Sequence, residues 1–494
     1  MSAQDLPEGD LYDRLRAQVG AQGPAQAARH PVGIAAIADW CDAIGDGNPV
    51  YLDEEAAAKS RHGGIVAPPA TLDIWDRPGL PAQPRWRPAD KPPAEDPRSK
   101  VLRMLDDAGY VGVVAVNSEL EIARYLRPGD LLQNVQILED VSPEKQTALG
   151  TGYFVTTRQR YETVDGEHVG DLLFRILKFK PGTGTSPTAT APEGQRPAAD
   201  QSRRAAPDPQ PHLRPRPGIN RDNQSLFDGY RAHELRIPRC NGCGRLFFPP
   251  SPRCSECGAF DMGYAVASGR ATLYSFAVVH HPQVPGFRYP LVVALAELEE
   301  GPRFVADLVG VRPDQVAIGM PLEIEWLDSH PAQVEGATDS RGPISIPQFR
   351  PATPQRRNET LAAADVSEGD RLPLWCLPVT PTHIVAGALA TRDFQDVHHD
   401  RDLAHKKGSK DIFFNINTSV GLMERYVTDW TGPEAVVTAL RVRLGAPAYP
   451  YLPLTFSGSV QSVDAETGRL VVGVQALNEL GPHVTGTVEL ELPR

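Results

Sequence analysis

The sequence predicts an α+β protein in which one domain plan occurs twice around a small, metal-binding β module. Three observations predict it. Asp46 and Asp53 stand seven residues apart after the apolar segment Ile34 to Ile44, and Asp393 and Asp400 keep the same spacing after Ile384 to Leu389. Four of the 6 cysteines form two CxxC pairs between those copies. Much of the chain's content of 48 prolines falls in stretches that separate the parts.

A chain of 494 residues exceeds what a single core usually supports, so three or four units are expected. Hydrophobic residues at 41% and charged residues at 23% are ordinary for globular domains. A net charge of -12 gives phosphate backbones and anionic membranes no reason to bind. There is no run of eighteen apolar residues, and the first ten, MSAQDLPEGD, are acidic. A cytoplasmic protein with no membrane partner is the expectation. In such a reducing compartment the isolated Cys41 and Cys376 read as buried thiols.

In chain order, residues 1–180 read as a first domain. A short polar helix over Leu11 to Val19 comes first. A second helix follows Pro31, with Ile34, Ile37, Ala38, Cys41 and Ile44 as its apolar stripe. After the acid loop, Gly63 to Leu72 hands over to another helix, and a proline-rich excursion runs from Trp75 to Pro97. Strand patterns then occupy Val113 to Val116, Glu119 to Ala123, Leu131 to Glu139, Thr147 to Tyr161 and Gly170 to Lys178. Residues 181–217 hold nine prolines and no aromatic residue, which predicts a linker.

Residues 218–328 read as the middle domain, with a helix from Gln224 to His233, the cysteine pairs, and four short strands suited to a small barrel. Residues 329–369 read as a second linker. Residues 370–494 form the last domain, opened by the N-cap Thr380 with Pro381 at the first helical position. Its order of helix, acid loop, second helix and four strands repeats the first domain, so an internal duplication is expected.

Asp393 and His398 are the candidate catalytic pair. Adding water to a double bond conjugated with a carbonyl needs a base for the water, a proton for the α-carbon and donors for the enolate oxygen. Imidazole titrates near neutral pH, and a neighbouring aspartate can orient it. Amides at the start of the following helix, around Asn415 and Asn417, could hold the oxygen. The first copy carries Tyr51 where the second has His398, and a phenol with a pKa near 10 is a poor base. That half should be silent, with Asp46, Asn48 and Tyr51 left to line substrate. Cys240, Cys243, Cys254 and Cys257, with ten residues between the pairs, have the spacing of a closed four-thiolate zinc site, structural in role. Nucleic acid is disfavoured there, because Arg221 to Asp328 contains ten arginines and no lysine against thirteen acids.

Asp393 and His398 match the acid and the histidine of Asp-x-Asn-Pro-x-His, so the loop resembles the hydratase motif of MaoC-like enoyl-CoA hydratases. Gln395 and Asp396 depart from it. Asp46, Asn48 and Pro49 keep more of the motif but lack its histidine. The resemblance implies two hotdog domains flanking a zinc ribbon plus OB-fold β-barrel, with a CoA thioester as substrate and no redox cofactor. It also implies a homo-oligomer through hotdog pairing, within or between chains. The middle domain resembles the zinc-ribbon and OB-fold modules that accompany thiolase-like proteins. The whole arrangement is similar to the two-subunit steroid side-chain enoyl-CoA hydratases of actinobacteria, fused into one chain. That implies a bulky steroid enoyl-CoA as substrate and a thiolase-like aldolase as partner. A non-catalytic acyl-CoA-binding scaffold and a hydratase for long-chain fatty enoyl-CoA are the alternatives.

Overall fold

One helix in the last domain is wrapped by protein on every side, and the architecture follows from covering it. The computed structural model describes residues 8–77, 79–80, 96–184, 213–330 and 344–494. The chain divides into two compact units, one of residues 1–195, 354–373 and 377–494, the other of residues 196–353 with 374–376. The first unit holds both copies of the duplicated plan, and each copy is a hotdog: an antiparallel sheet curled around helical segments. Most of the linker predicted at 181–217 and of the proline-rich excursion lies outside the described residues.

The copies join edge to edge in one sheet. Its path runs through Leu132–Val141, Thr151–Thr163, His168–Phe179 and Gly112–Ile122, and continues through Val436–Leu444, Gly481–Glu491, Arg469–Asn478 and Leu454–Asp464. Gly112–Ile122 pairs antiparallel with Val436–Leu444, Leu440 opposite Leu120. Hotdog pairing therefore takes place inside one chain, and the pairing edge needs no second copy. The segments Val113 to Val116 and Glu119 to Ala123 are one strand. A β-bulge between Ala115 and Asn117 breaks its alternation, which is why the pattern resembles two strands.

Helix Ile34–Ile44 buries Ile37, Trp40, Cys41 and Ile44 and leaves Ile34 exposed. Helix Pro381–Ala390 begins as expected, with the Thr380 side chain accepting from the His383 amide. Helix Ile416–Thr431 follows the second acid loop and is buried from Asn417 to Thr431 with few breaks. The first copy differs here. Where a second helix was expected after Gly63 to Leu72, the described residues form the 3-10 turn Pro69–Thr71 and continue in turns through position 76. Pro69 opens that turn, at a position where an amide would be unpaired in any case. A separate helix, Pro97–Asp107, packs Val101 and Leu105 against Leu138, Tyr153 and Val155.

In the second unit, helix Gln224–Arg231 precedes a two-stranded ribbon, Arg236–Cys240 with Met262–Val266. A closed barrel follows, in the order Leu291–Leu298, Arg303–Leu308, Ile344–Pro351, Pro321–His330 and Arg270–Val279. Strand Ile344–Pro351 falls inside the segment 329–369 that composition reads as linker. It closes the barrel by pairing parallel with Arg303–Leu308 at Leu308 and Phe349, and Phe349 is wholly buried. Prolines 347 and 351 give this strand the composition of a linker.

Helix Ile416–Thr431 crosses helix Ile34–Ile44 at Gly421, where an added Cβ would stand 2.4 Å from Trp40 Cζ2. Gly421→Ala should therefore lower stability. Overpacking of about 1–3 kcal/mol outweighs a helix-propensity gain of roughly 0.5–1 kcal/mol, and the thermal midpoint should fall.

Candidate functional site

The two acid loops are built alike. Each helix ends on a residue in the left-handed region, Gly45 at φ 66° and Arg392 at φ 54°. Glycine adopts that conformation freely, and an arginine there is held against a conformational preference. The next amide folds back in both copies, Asp46 N donating to Cys41 O at 2.7 Å and Asp393 N to Ala388 O at 2.9 Å. At the far end of the ruler, Asp53 and Asp400 cap short helices. Asp53 accepts from Glu55 N and Ala56 N, and Asp400 from Leu403 N. The shared seven-residue spacing thus belongs to helix exit and helix capping, and Asp400 takes no place beside His398.

The 3-10 turn Asp396–His398 carries His398 back toward Asp393. His398 Nε2 lies 3.7 Å from Asp393 Oδ2, and both side chains are nearly buried. His398 Nδ1 is 2.8 Å from the carbonyl of Phe413. A carbonyl only accepts, so Nδ1 carries the hydrogen and neutral His398 presents its Nε2 lone pair toward Asp393. Burial pushes the His398 pKa below the usual 6.5, Asp393 opposing that shift and Arg77 adding to it. A separation of 3.7 Å exceeds a direct hydrogen bond. Two acceptors facing each other at such a distance suit a shared water.

Sequence reasoning missed the residues around this pair. Arg77, from the first hotdog, lies 3.8 Å from Asp393 Oδ2. It is gripped by Asp73 Oδ2 at 2.7 Å and Asn417 Oδ1 at 2.6 Å. Asn417 Nδ2 donates in turn to Asp73 Oδ1 at 2.6 Å. No local pattern marks Arg77, because it meets the loop only across 316 positions of sequence, from 77 to 393.

The residues expected to line substrate are committed elsewhere. Asn415 caps helix Ile416–Thr431 by accepting from Thr418 N at 2.8 Å, and its amide donates to Thr391 Oγ1 at 2.6 Å. The Asn417 side chain is spent on Asp73 and Arg77. Asp46, Asn48 and Tyr51 are each no more than 2% exposed. Asp46 accepts from Asn48 N at 2.9 Å and pairs with Arg356 at 2.5 Å. Arg356 also grips Asp429. Asn48 caps the helix Pro49–Leu52. Tyr51 donates to Glu424 Oε1 at 3.2 Å, and Ala70 N donates to Glu424 Oε2 at 2.7 Å. Burial pushes Glu424 up to about 8, so it is largely neutral at neutral pH. The first loop is therefore filled with internal partners: an arginine covers its acid, and its tyrosine is tied to a buried carboxyl.

The cysteines converge as their spacing requires. All four Sγ atoms lie within 4.8 Å of one another, with 3.5 Å between Cys240 and Cys257 and 3.7 Å between Cys243 and Cys254. A tetrahedron with Zn–S bonds near 2.3 Å has edges of about 3.8 Å. Gly244 and Gly258 turn each knuckle at φ 78° and 74°. The donor set fits zinc and leaves no open coordination position.

Family models match the chain at residues 17–172 (FAS1-like, dehydratase domain region), 227–263 (ChsH2, rubredoxin-like zinc ribbon domain) and 264–327 (ChsH2, C-terminal OB-fold domain). A probable enoyl-CoA hydratase alpha subunit of Thermomonospora curvata is 39% identical over 71% of this chain and 99% of its own length. The alpha subunit of the 3-oxo-4,17-pregnadiene-20-carboxyl-CoA hydratase of Mycobacterium tuberculosis is 41% identical over 63% of this chain and 92% of its own. The beta subunit of that enzyme is 58% identical over 23% of this chain and 85% of its own. A DUF35 domain-containing scaffold protein of Methanocaldococcus jannaschii is 36% identical over 17% of this chain and 62% of its own.

Replacing Arg356 would leave Asp46 and Asp429 buried with a lost partner. Arg356→Met should cost about 3–5 kcal/mol, read as a lower urea midpoint, and Asp46→Asn in that background should recover part of the loss.

Proposed function

The chain belongs to the family of enoyl-CoA hydratase alpha subunits, here continued in one polypeptide by a beta-subunit-like half, and on that premise we propose that Asp393 and His398 perform its hydration. The observation that carries this reading is the imidazole tautomer: Nδ1–H is spent on Phe413 O, so Nε2 faces Asp393 with a free lone pair. A water held between Nε2 and the carboxylate gives up its proton as its oxygen adds to the β-carbon. The α-carbon then takes a proton from the same pair, and the first amides of helix Ile416–Thr431 stabilise the enolate oxygen. The first hotdog contributes no second base, because Tyr51 and Asp46 are tied up inside the protein.

The substrate we propose is a bulky enoyl-CoA, with a steroid carrying its thioester on the C17 side chain as the best case. What supports it is the pregnadiene-carboxyl-CoA activity named for the Mycobacterium tuberculosis relatives. Hydration there yields a tertiary β-hydroxy thioester, which is the substrate of a retro-aldol cleavage. A thiolase-like aldolase held by the zinc-ribbon and OB module would consume it and release propionyl-CoA. The scaffold relative supports that division of labour. Zinc bound by the four thiolates supplies the fold of the ribbon and no chemistry. No helix of the described residues is long and apolar enough to cross a membrane.

His398→Ala should abolish the gain of one water by a steroid enoyl-CoA in mass spectrometry, while Tyr51→Phe stays within a few-fold of the parent rate. Equal loss in both would sink the assignment. The acidic limb of kcat/KM should fall below pH 6.5, since His398 must be neutral and burial lowers its pKa from that value. Metal analysis should find one zinc per chain. Cys254→Ser should lose that zinc and the aldolase together and still hydrate substrate; a parallel loss of hydration would count against a structural metal.

A further inference from the structure

Asp393 is nearly buried, and a carboxylate at that depth needs partners to hold it in place. On its own loop Asp393 Oδ1 accepts from the Gln395 amide at 3.4 Å, and Oδ2 lies 3.7 Å from His398 Nε2. The charged groups facing the pair from other elements are Arg77, with Asp73 and Asp76 behind it; His399 adds a neighbour on the loop itself. Arg77 is held by a fork. Its Nη2 meets both Asp73 and Asn417, while Nη1 turns to Asp393 Oδ2 at 3.8 Å. Asp73 and Asn417 bond each other as well, so the guanidinium sits in a closed ring of partners from both hotdogs. Two residues on, Gly79 lies against the loop, where an added Cβ would stand 3.1 Å from Arg392 and 3.8 Å from Phe394.

We infer that Arg77 of the silent hotdog is a positioning residue for the armed one, fixing the Asp393 carboxylate beside His398. The inference rests on Asp393 and His398 being the working pair. It gives the first hotdog an active share in the reaction: it completes the second site's electrostatics through one arginine. The role also explains why Asn417 is buried in a side-chain network when its place at a helix start would suit a ligand. Asn417 and Asp73 aim the arginine. Removing the cation takes away a positive neighbour of His398, so its imidazole should hold its proton to higher pH.

The test is the pH dependence of steroid enoyl-CoA hydration by the full-length chain in three variants. Arg77→Met should reduce kcat by about tenfold to a hundredfold, the scale of a misplaced catalytic group, and should move the acidic limb to higher pH. Arg77→Lys keeps the charge and loses the fork, so its limb should stay near the parent's while kcat recovers only in part. An Arg77→Met enzyme with an unmoved limb overturns the inference, whether its kcat is intact or reduced. So does an Arg77→Lys enzyme whose limb moves as far as that of a folded Arg77→Met. If Arg77→Met fails to fold, the Arg77→Lys profile decides alone: a parent-like limb supports the role and a shifted one overturns it. His398→Ala separates the two levels, because activity surviving in it defeats the catalytic pair itself, whatever Arg77 does.

Discussion

The first unit depends on one constraint: helix Ile416–Thr431 buries polar and charged side chains, and each must find a partner away from water. Asn417, Glu424 and Asp429 are all at or below 8% exposure. An unpaired polar group at such depth costs several kcal/mol. The first hotdog and the segment leading into the last domain supply the partners: Asp73 and Arg77 for Asn417, Tyr51 and Ala70 for Glu424, and Arg356 for Asp429. The strand pairing of Gly112–Ile122 with Val436–Leu444 brings the two hotdogs into register. The helix then decides which residues they must exchange.

This explains how one fold carries two fates. Both loops leave a helix through a left-handed residue and fold the aspartate amide back on that helix. In the first loop the carboxylate meets Arg356 directly and the residue in the histidine's place reaches a buried glutamate. In the second the carboxylate meets Arg77 at longer range and faces an imidazole whose other nitrogen is anchored. Asp46 is therefore a structural ion-pair partner, and Asp393 has a more distant cation and an imidazole facing it. The difference lies less in the acid, which both copies keep, than in what closes over it.

Sequence patterns failed where local composition and tertiary role diverge. Ile344–Pro351 carries two prolines and reads as linker, yet it closes the barrel because its pairing to Arg303–Leu308 is parallel and distant in sequence. The strand from Gly112 reads as two because a bulge breaks its alternation. Asp393 and Asp400 look alike in sequence, and only their contacts tell them apart: one faces His398 and the other caps a helix. Asn415 and Asn417 stand at the start of a helix as expected, with side chains turned to Thr391, Asp73 and Arg77.

The sequence by itself determined the duplicated plan, the two CxxC knuckles with their glycines, and the identity of the histidine-bearing loop. All three are local: spacing along a helix exit, chelate spacing and one residue's chemistry survive in a linear string. Only the tertiary structure decided that the hotdogs pair within one chain, that Arg356 covers Asp46, and that Arg77 approaches Asp393. Those facts depend on contacts between residues more than 300 positions apart. The sheet and the buried helix create such contacts, and no periodicity records them.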